Sequence, residues 1–173
     1  MDLLVRLYDL PGVAPRLEAL AAQGVTVRRA LASERHAVVA FARQHGSPGW
    51  ASEVEVAFAR VPLGVFVATE GEARVPGAPR PVGYPQQPET LIGFSCVEAT
   101  ARGFFGPQCV RIDRRGRGVG AALLLAALHA MRDVGYAYAI VGWASELDFY
   151  KRVCGAVPID GSEPGIYRPQ IVE

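Results

Sequence analysis

Two hydrophobic periods alternate along this chain. An apolar run over 3–8, stopped by Pro11-Gly12, predicts a strand. Residues 14–23 predict a helix with Gly24 as its stop. Val25-Thr26-Val27-Arg28-Arg29, rich in β-branched residues, predicts a second strand. Ser33 reads as an N-cap for a helix whose apolar set is Ala37, Val38, Ala40 and Phe41, ending near Gly46. Ser47-Pro48 opens another helix, which runs to about Arg60 with Pro48 in its first turn. Strands follow over 65–68 and 91–97. A strand over 104–112 contains Gly106-Pro107, tolerated at a bulge or where pairing stops. Residues 119–133, with leucines at 123, 124, 125 and 128 and Gly135 as the stop, form the clearest helical pattern. The continuously apolar run 136–143 predicts a strand buried on both faces. A short helix over 146–153, capped by Ser145, precedes a strand pair over 157–160 and 165–168.

This mixture of strands and helices indicates an α/β (α+β) fold in a single domain over 1–173, with no internal repeat and no linker. Residues 71–89 carry prolines at 76, 79, 81, 85 and 88 and predict a surface loop. The loop is either an insertion within a hairpin or a flap over a binding site.

Composition narrows the function classes. The chain has 173 residues, 50% of them hydrophobic and 20% charged, enough for one buried core. A net charge of +1 argues against a general nucleic-acid or membrane-surface binder, so any basic site must be local. The longest apolar run, 119–130, falls short of the roughly 20 residues of a membrane span. Cys96, Cys109 and Cys154 lack Cys-x-x-Cys spacing and read as reduced, buried thiols of a cytoplasmic protein. His36, His45 and His129 have no helical i, i+4 spacing, which argues against a metal site. The acidic N-terminus does not resemble a signal peptide.

Candidate chemistry concentrates between Gln108 and Leu125. An apolar strand ends near Ile112, glycines at 116, 118 and 120 follow, and a long helix begins at once. Glycines let backbone amides approach a ligand closely. A helix start offers unsatisfied N–H groups and the positive end of the macrodipole. Arg114, Arg115 and Arg117 add local cations. Together these describe a phosphate site. A Walker A loop needs a lysine, and none stands here. Gly-x-Gly-x-Gly also differs from the dinucleotide fingerprint Gly-x-Gly-x-x-Gly.

Arg115-Gly116-Arg117-Gly118-Val119-Gly120, five residues after Val110, resembles the acetyl-CoA signature [Gln/Arg]-x-x-Gly-x-[Gly/Ala] of the GCN5-related N-acetyltransferases. The order of elements agrees over about 25–168, with 1–24 as a strand–helix extension, and Phe149-Tyr150 lies on the last helix. The resemblance implies a mixed, mostly antiparallel central sheet flanked by helices, with a splayed strand pair at the cofactor site. It implies that backbone groups of Gln108, Cys109 and Val110 pair with the pantetheine arm of acetyl-CoA. The amides of Arg115, Gly116, Arg117, Gly118, Val119 and Gly120 would hold the pyrophosphate. The Val110 amide would stabilise the oxyanion, and Tyr150 would serve the departing thiolate. Glu98, near a strand end, is the candidate general base, and the helix carrying Trp50, Glu53 and Glu55 would wall the acceptor pocket. The acceptor would be the primary amine of a small molecule or an amino terminus, and the C-terminal strand pair would serve as a homodimer contact. Cys109 reads as an inert buried thiol rather than a nucleophile. Ile112, Trp143 and the position of Gly155 differ from the family's usual proline, asparagine and glycine spacing. Two other readings share the loop: a non-catalytic acyl-CoA-binding or sensing domain, and a nucleotide-binding domain of another type.

Overall fold

A computed structural model of the chain describes residues 1–71 and 89–167. The proline-rich expectation over 71–89 thus falls almost entirely outside the described residues, as does Arg168. The elements run β1 (Leu3–Arg6), α1 (Ala14–Ala21), β2 (Val25–Arg29), α2 (Arg35–His45), α3 (Pro48–Phe58), β3 (Val65–Glu70), β4 (Thr90–Val97), β5 (Phe104–Val110), α4 (Val119–Asp133), β6 (Tyr138–Val141), α5 (Leu147–Cys154) and β7 (Val157–Pro158). The strands form one sheet in the order β2-β3-β4-β5-β6-β1-β7. Every neighbouring pair is antiparallel except β5–β6. The N-terminal strand is therefore no appendage: β1 lies between β6 and β7, with Leu3 and Val5 buried.

Alternation along the strands builds two apolar layers. Phe66, Ala68, Phe105, Val110, Ala139 and Val141 face a layer containing α4. Val65, Val67, Phe94, Cys96 and Cys109 face a layer containing α2 and α3. Helix α4 is buried almost all round, from Leu123, Leu124 and Leu125 to Leu128 and Met131, because it lies over the sheet and beneath flanking segments. That explains its lack of a polar face.

Two sequence signals have direct structural counterparts. Ser47 caps α3, its Oγ accepting from the Trp50 amide at 3.1 Å. Gly106-Pro107 forms the anticipated bulge: between the pairs Ser95↔Gln108 and Val97↔Phe105, β4 contributes Cys96 alone and β5 contributes both Gly106 and Pro107.

Other expectations require correction. The first strand ends at Arg6, and Leu7–Asp9 is a 3-10 turn. The strand expected over 136–143 is only β6, and it alternates: Ala139 and Val141 are buried whereas Tyr138 is 48% exposed, since α4 covers one face. Ser33 lies in a 3-10 turn, and the Glu34 carboxylate instead accepts from the Leu31 amide at 2.7 Å. Ser145 does not cap α5, whose N-cap is Glu146 without a side-chain bond. The C-terminal strand pair does not form: β7 pairs with β1, and Gly165–Tyr167 is a 3-10 turn.

Candidate functional site

The parallel ladder between β5 and β6 has only two pairs, Phe104↔Ile140 and Phe105↔Val141. Beyond them β5 turns at its bulge and continues to Val110 paired on the β4 side. A slot therefore opens between residues 106–110 and the chain leaving β6 at Gly142. The Arg111 amide donates to the Ile92 carbonyl at 2.9 Å. In an antiparallel ladder, hydrogen-bonded and open pairs alternate, so Gly93↔Val110 and Ser95↔Gln108 are open pairs. The backbone groups of Gln108 and Val110 accordingly point to the slot, and those of Cys109 point to β4. The Val110 carbonyl accepts from Arg115 Nε at 3.0 Å, leaving its N–H as the donor on that side.

The slot leads to the glycine loop. Gly116 and Gly118 adopt φ +77° and +88°, a region that favours glycine, and Gly118 is the N-cap of α4 without a side-chain cap bond. The Ala122 amide donates to the Gly118 carbonyl at 3.1 Å, so the amides of Val119, Gly120 and Ala121 precede the first intrahelical bond. A Cβ on Gly120 would stand 3.2 Å from Gln108 Nε2. That Nε2 donates to the Gly120 carbonyl at 3.2 Å, while Gln108 Oε1 is buried without a partner among the described residues.

Arg111, Arg114 and Arg117 are paired with acids, while Arg115 donates to the Val110 carbonyl. Glu70, the last residue of β3, accepts from Arg114 Nε at 2.7 Å and from Arg117 Nη1 at 2.6 Å. Arg117 Nε also reaches Gln23 Oε1 at 3.3 Å, and Arg111 forms a fork with Asp113 at 2.6 and 3.0 Å. Arg117 and then Arg114 hold the Glu70 carboxyl below its ordinary range, and Glu70 in turn holds Arg114 above its own. The loop is thus bolted to the sheet, and Glu70 and Asp113 offset two of its four arginine charges.

At the slot's other end the layers bring different groups together. On the α4 side, the Tyr150 ring packs at 6.4 Å from Phe105, the last residue paired with β6. Burial, then Cys154 and Glu146, push the Tyr150 hydroxyl up to about 12, and no side-chain hydrogen bond engages it among the described residues. On the α3 side, Glu53 Oε1 accepts from the Thr100 hydroxyl, and Tyr167 Oη donates to Thr100 Oγ1 at 3.4 Å. Tyr167 Oη and the Phe104 ring stand 3.3 and 3.0 Å from where a Cβ on Gly142 would lie. Burial raises the Glu53 carboxyl above its ordinary range. Trp143, 56% exposed, adopts φ +46°; its amide donates to Asp2 Oδ1 at 2.9 Å and its ring lies 5.1 Å from that of Tyr167.

Glu98 is engaged elsewhere. Its carboxylate accepts from the Tyr136 hydroxyl and the Gly103 amide and pairs with Arg102 at 3.5 Å. It lines a cleft of about 300 Å³ with Tyr136 and Gly135, at the far end of α4 from the glycine loop. Cys109 donates to the His45 carbonyl at 3.5 Å, and burial pushes its thiol up, away from nucleophilic character.

No protein-family model matches the chain, and no curated protein is similar to it in sequence. Solved structures do match. The glucosamine N-acetyltransferase region of a fungal multi-domain GH3 β-N-acetylglucosaminidase aligns with TM-score 0.65 at 18% identity, over 88% of this chain and 19% of that one. A GCN5-related N-acetyltransferase from Sphaerobacter thermophilus aligns with TM-score 0.62 at 18% identity, over 90% of this chain and 47% of that one. A Drosophila protein aligns with TM-score 0.58 at 15% identity, over 91% and 46%. The chain has the fold of the GCN5-related N-acetyltransferases. It spans between about a fifth and a half of the length of these solved chains. In this fold residues 115–120 follow β5 and run into the first turn of α4. The residues that sequence reading passed over are Glu70, Asp2 and Tyr167. Their contacts with the site bridge 44 residues or more, so no local pattern announced them.

Proposed function

We propose that this chain is an acetyl-CoA-dependent N-acetyltransferase that acts on the primary amine of a small molecule or an amino terminus. The observation that carries the reading is the one-sided strand: β5 leaves β6 after Phe105 and runs unpaired on that edge to an uncapped helix start. Such an edge can accept an extended, amide-bearing arm, and the helix start can accept its phosphates.

The residues fit the group. Gln108 and Val110 present backbone polar groups along the slot, and the αL glycines leave open space above the loop. The amides from Arg115 to Gly120 would hold the pyrophosphate, in place of the Arg114 and Arg117 side chains, which are already paired with Glu70. Bound acetyl-CoA would supply the activated acyl group. The Val110 N–H would face the carbonyl oxygen as charge develops there. Tyr150 keeps its proton throughout the neutral range. Giving it up fully to a thiolate, whose acid titrates near about 8.5, would run uphill, so its hydroxyl serves by hydrogen-bonding the departing sulfur.

Titration calorimetry with acetyl-CoA, followed by a thiol-release assay over an amine panel that includes glucosamine, tests the reading. Binding together with amine-dependent release of one thiol per amide is expected. Absence of binding at millimolar acetyl-CoA would exclude it.

A further inference from the structure

The slot's apex is flanked from the α3 side by a carboxylate that has no counter-ion among the described residues. Glu53 lies on α3, and its hydrogen-bond partner is Thr100 of the β4–β5 connection. Among the described residues no arginine or lysine pairs with it, in contrast to Glu34, Glu70 and Asp113. A chain of contacts leads from it to the slot: Glu53 to Thr100, Thr100 to Tyr167 at 3.4 Å, and Tyr167 Oη to within 3.3 Å of the Gly142 Cβ position. Gly142 is the first residue past the last β5–β6 pair. Beside it stands the exposed Trp143 indole, held outward by the bond from its amide to Asp2. A half-buried carboxylate next to an aromatic wall is the arrangement that recognises one ammonium on an apolar body.

We propose that Glu53, with Thr100 and Tyr167, binds the ammonium group of the acceptor and takes its proton, while Trp143 and Tyr167 form the wall for the acceptor's apolar body. This rests on the transferase reading above. The step balances simply: the N–H bond of R–NH3⁺ breaks, its electron pair stays on nitrogen as the attacking pair, and the proton forms an O–H bond on the Glu53 carboxylate. The other carboxylate at this wall, Asp2, is buried and accepts from the Trp143 amide, which leaves Glu53 to meet one ammonium and favours a monoamine over a polyamine. Among the described residues, the titratable groups that face Glu53 are the Cys96 thiol of β4 and the Tyr167 hydroxyl. Burial raises both, so both are neutral at pH 7 and add no competing charge.

The test compares wild type, Glu53→Gln and Glu53→Asp with phenethylamine and spermidine as acceptors. Glutamine keeps the acceptor oxygen for Thr100, so the fold and acetyl-CoA binding by calorimetry stay intact. Because burial disfavours the charged carboxyl in the folded state, Glu53→Gln at pH 7 should melt at the same temperature as wild type or higher. Its kcat/KM for phenethylamine should fall about a hundred-fold at pH 7. The gap should narrow towards pH ~10, where the free amine needs no base. Aspartate should restore part of the rate, and wild type should prefer phenethylamine to spermidine. Wild-type turnover with one pH profile shared by wild type and Glu53→Gln would overturn the assignment of Glu53 alone. Acetyl-CoA binding with no thiol release from any amine would overturn the transferase reading and this assignment with it.

Discussion

The two ends of the β5 slot handle charge in opposite ways. At the Val110 end, cations are abundant and most are engaged by acids, with Arg111 on Asp113 and Arg114 and Arg117 on Glu70, while Arg115 donates to the Val110 carbonyl. At the Phe105 end, among the described residues, Glu53 has a hydroxyl partner and no cation, and the Tyr150 hydroxyl has no side-chain hydrogen bond. Matched charge stabilises a shape but leaves little for a ligand, so that end must bind through its backbone. Unmatched groups cost desolvation energy and retain capacity to exchange protons or hydrogen bonds with a substrate. One end is built to hold and the other to react.

The largest effect should come from removing the backbone geometry of the holding end. Gly118→Val places a β-branched residue at φ +88°, where a side chain costs ~1–2 kcal/mol or more. Relief of that strain would turn the first amides of α4 away from the pyrophosphate. Calorimetry should show acetyl-CoA affinity lowered at least ~100-fold, about 3 kcal/mol. An unchanged affinity would mean that the amides do not bind the phosphates. At the reacting end the expected loss is smaller. Tyr150→Phe removes one hydrogen bond to a charge-bearing sulfur, worth ~1.5–3 kcal/mol. It should lower kcat by ~10- to 100-fold and leave acetyl-CoA binding as it was. If binding falls with kcat, Tyr150 belongs to packing against Phe105.

The sequence made the holding end legible because its parts are contiguous. Glycines 116, 118 and 120 and the apolar helix behind them lie within one short stretch, and Gly106-Pro107 marks the bulge locally. The reacting end is assembled from α3, the β4–β5 connection, the β6 exit and the C-terminal turn. Glu53 had no pattern to distinguish it from a helix-surface acid until Thr100 and Tyr167 came beside it. Glu98 had the better sequence credentials, yet its turn swings the side chain to Tyr136 and Arg102. Trp143 read as the end of a buried strand, and the carboxylate that holds its backbone outward is Asp2, at the other end of the chain.

A smaller effect isolates the bolt between β3 and the loop. Glu70→Gln should lower stability at pH 7 by no more than about 1 kcal/mol, the scale of a partly exposed ion-pair network. The sign with pH follows from the depressed carboxyl of Glu70. Its contribution is fully present above the unfolded value of about 4.3 and is lost as pH falls through the lower folded value. Urea melts of wild type and variant should therefore differ at pH 7 and converge in strong acid. A difference that persists at low pH would assign the effect to packing.

The smallest effect is the sharpest test of the comparison, because the arginine-rich sequence argues the other way. If Arg117 were a phosphate ligand, Arg117→Ala would remove a charge-assisted hydrogen bond of ~1.5–3 kcal/mol and cost ten-fold or more in acetyl-CoA affinity. In the structure its guanidinium already serves Glu70 at 2.6 Å and Gln23 at 3.3 Å. Recruiting it to a phosphate would mean breaking those bonds, and the exchange would be nearly even. Arg117→Ala is therefore expected to change affinity by less than ~3-fold, under 1 kcal/mol. A ten-fold loss would show that Arg117 leaves Glu70 for the ligand.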